Sequence, residues 1–362
     1  MSTELEHLIP IDFKNIVQVP ETHTWLINNS SSTDESVPLI DLEDPQALEK
    51  IKMACENWGV FQVTNHGIPM ELLAQMEHQV RRFFDLTKEE KLLTLRSPDS
   101  NNGYGIIQIS PNFNNLMWME GLTLSGSPLE LARRVWPKDY TPFCTVIEDY
   151  QEQMRCLAEK ITILIFKSLG ISREDVEWFE PKSMEAFLQL NSYPNCPDPA
   201  RALGMVPHTD SSLITLVYQS NTNRGLQMYG PNLKWVDVEP ISNAITVNIG
   251  DMLHIYSNGQ FKSVLHRAIV SEAHHRISVI YFFGPKSDVT ISSPLKLIKD
   301  GDFPMYRPII WKEYRKIKVK HFNKSLELVR FNSVVVENAN ALTSGDEAPV
   351  DGVDGGKVEA LI

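Results

Sequence analysis

An α+β fold built on a double-stranded β-helix (jelly-roll) core is what this sequence predicts, with supporting helices and a helical N-terminal region. Three observations lead there. Residues up to about 170 carry apolar positions at helical spacing, whereas from Ala186 to about Ile291 the pattern switches to short strands divided by Gly, Pro and Asn. The 362 residues, 42% of them hydrophobic, suffice for one large core or two closely packed domains. Polar residues two apart recur inside otherwise apolar strands, and a sandwich of two sheets aims such residues into one shared interior.

The elements follow in chain order. Residues 1–36, which include SSSTDES, read as an irregular lead-in. Residues 37–42 (VPLIDL) form a short strand, after which Asp44 N-caps a helix with Pro45 in its first position. Leu48, Ile51, Cys55 and Trp58 keep the helical spacing, and Gly59 ends it. Residues 60–64 (VFQVT) are a second strand, and Asn65-His66-Gly67 a turn. An amphipathic helix spans 69–86, with Leu72, Leu73, Met76, Val80 and Phe83 on its core side. Residues 101–115 read as a loop and a candidate active-site rim. A strong helix covers 148–169 and ends at Gly170, and Ser172-x-x-Asp175 is a capping box for the next. A helix over 312–329 closes the ordered part. The domain organisation expected is a lead-in (1–36), an N-terminal region (37–135), helices plus a jelly-roll catalytic domain (136–331) and a tail (332–362). Six acidic residues against Lys357 alone, with few aromatics, make that tail an expected disordered extension.

Composition excludes several classes. A net charge of −12 speaks against a nucleic-acid-binding surface. No apolar run approaches the roughly 18 residues a membrane span needs, and MSTELEHLIPIDFKN has neither signal-peptide nor transit-peptide character. Cys55, Cys144, Cys156 and Cys196 are scattered, without a C-x-x-C pair. That fits a reducing, cytoplasmic compartment rather than a disulfide framework.

Three short pieces carry the chemistry: His208-Thr209-Asp210, His266, and Arg276-Ile277-Ser278. Two imidazoles and a carboxylate are the facial triad that suits Fe(II) and leaves coordination positions open for O2. An Arg ten residues after the second His suits a dicarboxylate such as 2-oxoglutarate, through a bidentate pair. Local pattern supports the grouping. His208 and Asp210 lie two apart before a strand at 213–218, and His266 lies within SVLHRAIV (263–270). In RISVIYFF (276–283), Arg276 and Ser278 share one face while Ile277, Val279 and Tyr281 share the other. A zinc hydrolase also uses two His and a carboxylate, though no general base is evident and Arg276 would be unexplained. A hormone-binding β-barrel would have the apolar cavity but no reason for three metal ligands.

With Asn191-Ser192-Tyr193-Pro194-Asn195-Cys196-Pro197, VPLIDL and CENWGVFQVTNHGIP (55–69), these motifs resemble plant 2-oxoglutarate and Fe(II)-dependent dioxygenases over about 37–330. Within that family, MWMEGLTLSGSPLELARRVWP (117–137), HTDSSLITLVYQSNTNRGLQMY (208–229) and SNGQFKSVLHRAIV (257–270) are most similar to the gibberellin 3-beta-dioxygenases. Two departures stand out: Pro207 before the metal His, and Met119 where a small polar residue is expected. The resemblance implies that His208, Asp210 and His266 hold iron. It implies that Arg276 and Ser278 bind the far carboxylate of 2-oxoglutarate, assisted by Tyr193 and Asn191, with ascorbate as reductant. Met228, Phe282 and Phe283 are the implied apolar wall for a diterpenoid, a gibberellin, hydroxylated at carbon 3 on the beta face. Oxidation at carbon 2, alone or with carbon 3, is the nearest alternative, followed by a dioxygenase of another plant metabolite.

Overall fold

The computed structural model describes residues 9–27, 31–32, 35–97, 100, 102–106, 113–220, 224–299 and 302–331. The described residues open with single 3-10 turns and β1 (Ser31–Ser32), then β2 (Leu39–Asp41), α1 (Ala47–Asn57), β3 (Val60–Thr64), α2 (Met70–Phe84) and α3 (Lys88–Leu92). β4 (Gly103–Gly105), β5 (Glu120–Leu124), α4 (Leu129–Val135) and the long α5 (Thr141–Ser168) lead into the β core. That core comprises β6 (Glu185–Tyr193), β7 (Leu203–His208), β8 (Ile214–Gln219), β9 (Leu226–Tyr229), β10 (Trp235–Asp237) and β11 (Ile245–Ile249). After α6 (Asp251–Tyr256) come β12 (His266–Ile269), β13 (Arg276–Gly284), β14 (Thr290–Ile291), β15 (Ile309–Ile310), α7 (Trp311–His321) and α8 (Ser325–Leu328).

Two sheets make the jelly roll. The larger runs β2-β3-β11-β8-β13-β6-β5-β4 and the smaller β1-β10-β9-β12-β7. The N-terminal strands therefore extend the larger sheet at both of its edges. The outer face of that sheet is covered by α1, α2 and α5. On α5, Tyr150, Met154, Leu157, Ile161 and Ile165 recur at helical spacing and are buried. They meet the odd-numbered residues of β13, Ile277, Val279, Tyr281 and Phe283, in the main core. Each such buried side chain contributes about 1.5–3 kcal/mol, so the helical layer fixes which face of β13 turns inward to the smaller sheet.

Several boundaries differ from expectation. α1 starts at Ala47 because Asp44 first closes a turn, its side chain accepting the Gln46 N–H at 2.8 Å and its carbonyl the Ala47 N–H at 2.8 Å. α5 starts at Thr141, seven residues before 148, with Pro142 tolerated in the first turn. The Ser172–Asp175 capping box is present but caps a single 3-10 turn, Arg173–Asp175. The closing helix breaks at Phe322, whose φ of 49° no α-helix accommodates. The loop at 101–115 contains β4; residues 101 and 107–112 of that rim, like the tail from 332 onward, lie outside the described residues.

Candidate active site

His208 ends β7 and pairs across the ladder with His266, the first residue of β12. Past that pair the register shifts, Ala268 facing Met205, so Val206 and Pro207 together oppose Arg267. Such a bulge bends its strand and re-aims the neighbouring side chain. Proline has no N–H to withhold from the ladder, and β7 is an edge strand, which accounts for Pro207 beside the ligand histidine. Asp210 lies in the following turn, its carbonyl accepting the Asp251 N–H at 2.7 Å.

Both imidazoles are held in one orientation. His208 Nδ1 donates to the Val206 carbonyl at 2.8 Å and His266 Nδ1 to the Val264 carbonyl at 3.1 Å. Each Nε2 is left with its lone pair, and each lies 3.7 Å from Asp210 Oδ1. One ligand atom from each of the three residues falls within 4.8 Å of the others. Burial, then the proximity of His266, push the His208 imidazole far below its ordinary value, so it is neutral at pH 7. Asp210 Oδ2 is buried and has no hydrogen-bond partner among the described residues. A buried carboxylate oxygen left unpaired is costly, and a divalent cation between these three groups removes the cost. The donor set fits Fe(II).

Arg276 opens β13 and is 4% exposed. Its Nη2 donates to Gln219 Oε1 at 2.8 Å, and its guanidinium carbon lies 5.0 Å from the centre of the Tyr193 ring. Nε and Nη1 are buried without a hydrogen-bond partner among the described residues, as a guanidinium awaiting a carboxylate would be. Gly225 makes room for this side chain, since a Cβ there would sit 2.7 Å from Arg276 Cδ; at Gly204 a Cβ would sit 2.7 Å from the Tyr193 ring. Ser278 shares the face of Arg276 and pairs with Asn191 on β6. A chain of donors then runs across β5 and β6. Thr123 Oγ1 donates to Gln189 Oε1 at 2.5 Å, Gln189 Nε2 to Asn191 Oδ1 at 2.8 Å, and Asn191 Nδ2 to the Tyr193 hydroxyl at 3.1 Å. Because the Tyr193 oxygen accepts from Asn191, its proton is directed elsewhere.

The three ligand residues, Arg276, Ser278 and the Thr123-Gln189-Asn191-Tyr193 chain line one cavity of about 740 Å³. Its wall on β13 is Arg276, Ser278, Ile280 and Phe282. Of the three apolar residues expected there, the structure brings only Phe282 to the cavity. Phe283 follows it directly, so strand geometry turns it to the opposite face, into the main core. Met228 is closed inside a small cluster with Val60, Val217 and Val264, and Leu226, two residues earlier on β9, lines the cavity. Met119 packs in a further apolar cluster with Trp118, Tyr193 and Leu203 rather than on the cavity lining.

Other lining residues have no counterpart in the sequence expectations. Gln189 is one, although it repeats with Asn191 and Tyr193 at period two on β6, the same alternation that pairs Arg276 with Ser278 on β13. Trp311, Arg315 and Lys318 line the cavity from one face of α7, and Trp311 Nε1 donates to the Ser211 carbonyl at 2.8 Å. Their i, i+4, i+7 spacing is a signal, but one that mixes cations with an apolar face. Arg96 arrives from an irregular segment with no pattern to announce it. It is buried, donates from Nη2 to the Gly105 carbonyl at 2.9 Å, and its Nε has no partner among the described residues.

Residues 184–285 match the family model of the 2OG-Fe(II) oxygenase superfamily, and residues 37–139 match that of the N-terminal region of non-haem dioxygenases in morphine synthesis. Gibberellin 3-beta-dioxygenase 1 of Arabidopsis thaliana is 43% identical over 88% of this chain and 92% of its own length. Gibberellin 3-beta-dioxygenase 1 of Pisum sativum is 44% identical over 88% and 89%. Among solved structures, JOX2 in complex with 2OG, Fe and JA is 30% identical, with a TM-score of 0.78 over 88% of this chain and 96% of that one. The rice dioxygenase for auxin oxidation, 24% identical with a TM-score of 0.68 over 82% of this chain and 100% of its own, shares the fold.

Proposed function

The chain belongs to the 2OG-Fe(II) oxygenase superfamily, and from that premise we propose that it hydroxylates a gibberellin at carbon 3 on the beta face. It is a 2-oxoglutarate-dependent dioxygenase, so neither the zinc hydrolase nor the passive hormone-binding barrel remains. The observation that carries the site is that a single cavity holds both the three converging ligand atoms and the half-satisfied guanidinium of Arg276. The support for the substrate is the similarity to gibberellin 3-beta-dioxygenases across nearly nine-tenths of the chain.

In this reading His208, Asp210 and His266 hold Fe(II). Arg276, through Nε and Nη1, takes the far carboxylate of 2-oxoglutarate, and Ser278 and the Tyr193 hydroxyl donate beside it. Asn191 fixes the Tyr193 oxygen. When bound, the iron and its cosubstrate supply the coupled reaction in which 2-oxoglutarate, O2 and a C–H bond become succinate, CO2 and C–OH, with ascorbate keeping the metal reduced. The protein's part is placement and dryness. Its polar groups are locked by strand pairing, and Phe282, Ile280, Val217 and Leu226 keep an apolar wall beside the reacting carbon. A carboxylated diterpenoid suits such a wall together with the buried cation Arg96. We assign residues 37–135 and 136–331 to one catalytic body, with 332–362 as an appended tail. No helix among the described residues is long and apolar enough to cross a membrane. With the acidic net charge and scattered thiols, we place the protein in the cytoplasm with a small molecule, not a nucleic acid, as its partner.

The test is product analysis. A C19 gibberellin lacking the 3-hydroxyl, incubated with enzyme, Fe(II), ascorbate and 2-oxoglutarate, should yield the 3-beta-hydroxylated product by mass spectrometry. Exclusive oxidation at carbon 2, or turnover of a flavonoid alone, would overturn the substrate assignment and leave the dioxygenase standing.

A further inference from the structure

Asp251, the first residue of α6, is fully buried, and four side chains donate to its carboxylate. Lys318 Nζ and the Tyr314 hydroxyl, both from α7, reach Oδ2 at 2.8 Å each. The Thr209 hydroxyl reaches the same oxygen at 3.2 Å, and the Ser263 hydroxyl reaches Oδ1 at 2.6 Å. Lys318 also donates to the Thr209 hydroxyl. The backbone N–H of Asp251 donates to the Asp210 carbonyl.

The places of these partners in the chain give the cluster its meaning. Thr209 stands between His208 and Asp210. Ser263 precedes His266 by three residues and leads into β12. Asp251 therefore grips the segment of every ligand residue, two by side-chain ties and Asp210 by its backbone. Tyr314 and Lys318 fasten the cavity-lining helix α7 to the same point. Burying a carboxylate is expensive, and one kept only for stability is commonly matched by a well-packed apolar replacement. Here the cost goes into fixing the relative position of two strands and a turn that the sheet alone leaves adjustable, since β7 and β12 are joined through a bulge.

We infer that Asp251 is a positioning residue for the metal centre, setting the distance between the His208–Asp210 turn and His266 through Thr209 and Ser263. The inference rests on the reading that His208, Asp210 and His266 bind iron. Groups that orient metal ligands without touching the metal change affinity by about 10- to 100-fold when removed.

Anaerobic equilibrium dialysis of the purified full-length protein against Fe(II), with metal content read by atomic absorption, tests it. Asp251→Asn should bind Fe(II) about 10- to 100-fold more weakly. Ser263→Ala, which cuts one tie to Asp251, and Thr209→Val, which cuts one tie to Asp251 and removes an acceptor of Lys318, should lose affinity several-fold while the metal-free proteins melt near the parent's Tm. Should Asp251→Asn aggregate, those two variants decide the matter. Parent-like Fe(II) affinity in both of them, whatever happens to the Tm of Asp251→Asn, would reduce Asp251 to a residue of fold stability and overturn the inference. His266→Ala serves as the control, because unchanged iron binding there would mean that the triad reading, rather than the role of Asp251, is at fault.

Discussion

Where strands line the cavity, His208, His266, Asn191, Tyr193 and Arg276 each have a neighbour that sets their direction; where α7 and the Arg96 segment line it, long cationic side chains reach in from outside the β core. On the strand side, His208 and His266 are each aimed by a backbone carbonyl, and Asn191 and Tyr193 by a run of amides. On the helix side, α7 is tied by Trp311 to Ser211, by Tyr314 and Lys318 to Asp251 and by Arg315 to Ser287, while Lys312 and Lys316 are exposed. The difference separates two tasks. Metal and cosubstrate need geometry held to fractions of an ångström, which a hydrogen-bonded ladder gives. Selecting one carbon of a rigid terpenoid depends on pocket shape, to which the side chains that α7 and Arg96 project from outside the ladder contribute.

The largest effect should come from the strand side. His266→Ala, purified and supplied with Fe(II), should lose turnover altogether, because the two remaining ligands cannot supply the missing anchor; near-normal product formation would break the division at its root. Arg276→Lys comes next. It keeps the charge but loses the fork, so the KM for 2-oxoglutarate should rise well before Fe(II) affinity changes. An unchanged 2-oxoglutarate saturation curve would remove Arg276 from the site.

Phe282 and Phe283 sharpen the comparison within one strand. Phe283→Ala opens a cavity in the main core and should cost about 3–5 kcal/mol of stability in denaturant unfolding. Phe282→Ala should leave most of that stability in place and instead raise the KM for the gibberellin or spread oxidation over neighbouring carbons. Identical behaviour of the two would contradict the face assignment. The smallest effect is expected from truncation after Phe331. With six acidic residues and no aromatic one, the segment after Phe331 offers the core little apolar surface, so Tm and turnover should stay near the parent's.

These pairs also show what could be read from the sequence. The alternation in RISVIYFF separates Arg276 and Ser278 from Ile277, Val279 and Tyr281, and the structure has that parity. The same alternation forbids Phe282 and Phe283 from facing one cavity, so the parity of the strand already assigns Phe283 to the core beside Tyr281. Met228 is a different case. Whether a buried residue meets a cavity or another side chain depends on packing between sheets, which period-two patterning does not encode. Helix boundaries at Ala47 and Thr141 were set by a preceding turn and by tertiary contact. The spacing of Trp311, Arg315 and Lys318 marks one face of α7, but that this face meets a cavity rests on contact with strands distant in sequence, and Arg96 has no local pattern at all.

The most direct test of the strand-side account is an anaerobic visible spectrum of the wild-type protein with Fe(II), before and after 2-oxoglutarate. A weak charge-transfer band that grows with 2-oxoglutarate, shifts to higher concentrations in Arg276→Lys and is lost in His266→Ala is the predicted result. No band in the wild type, or an undiminished one in His266→Ala, would contradict it.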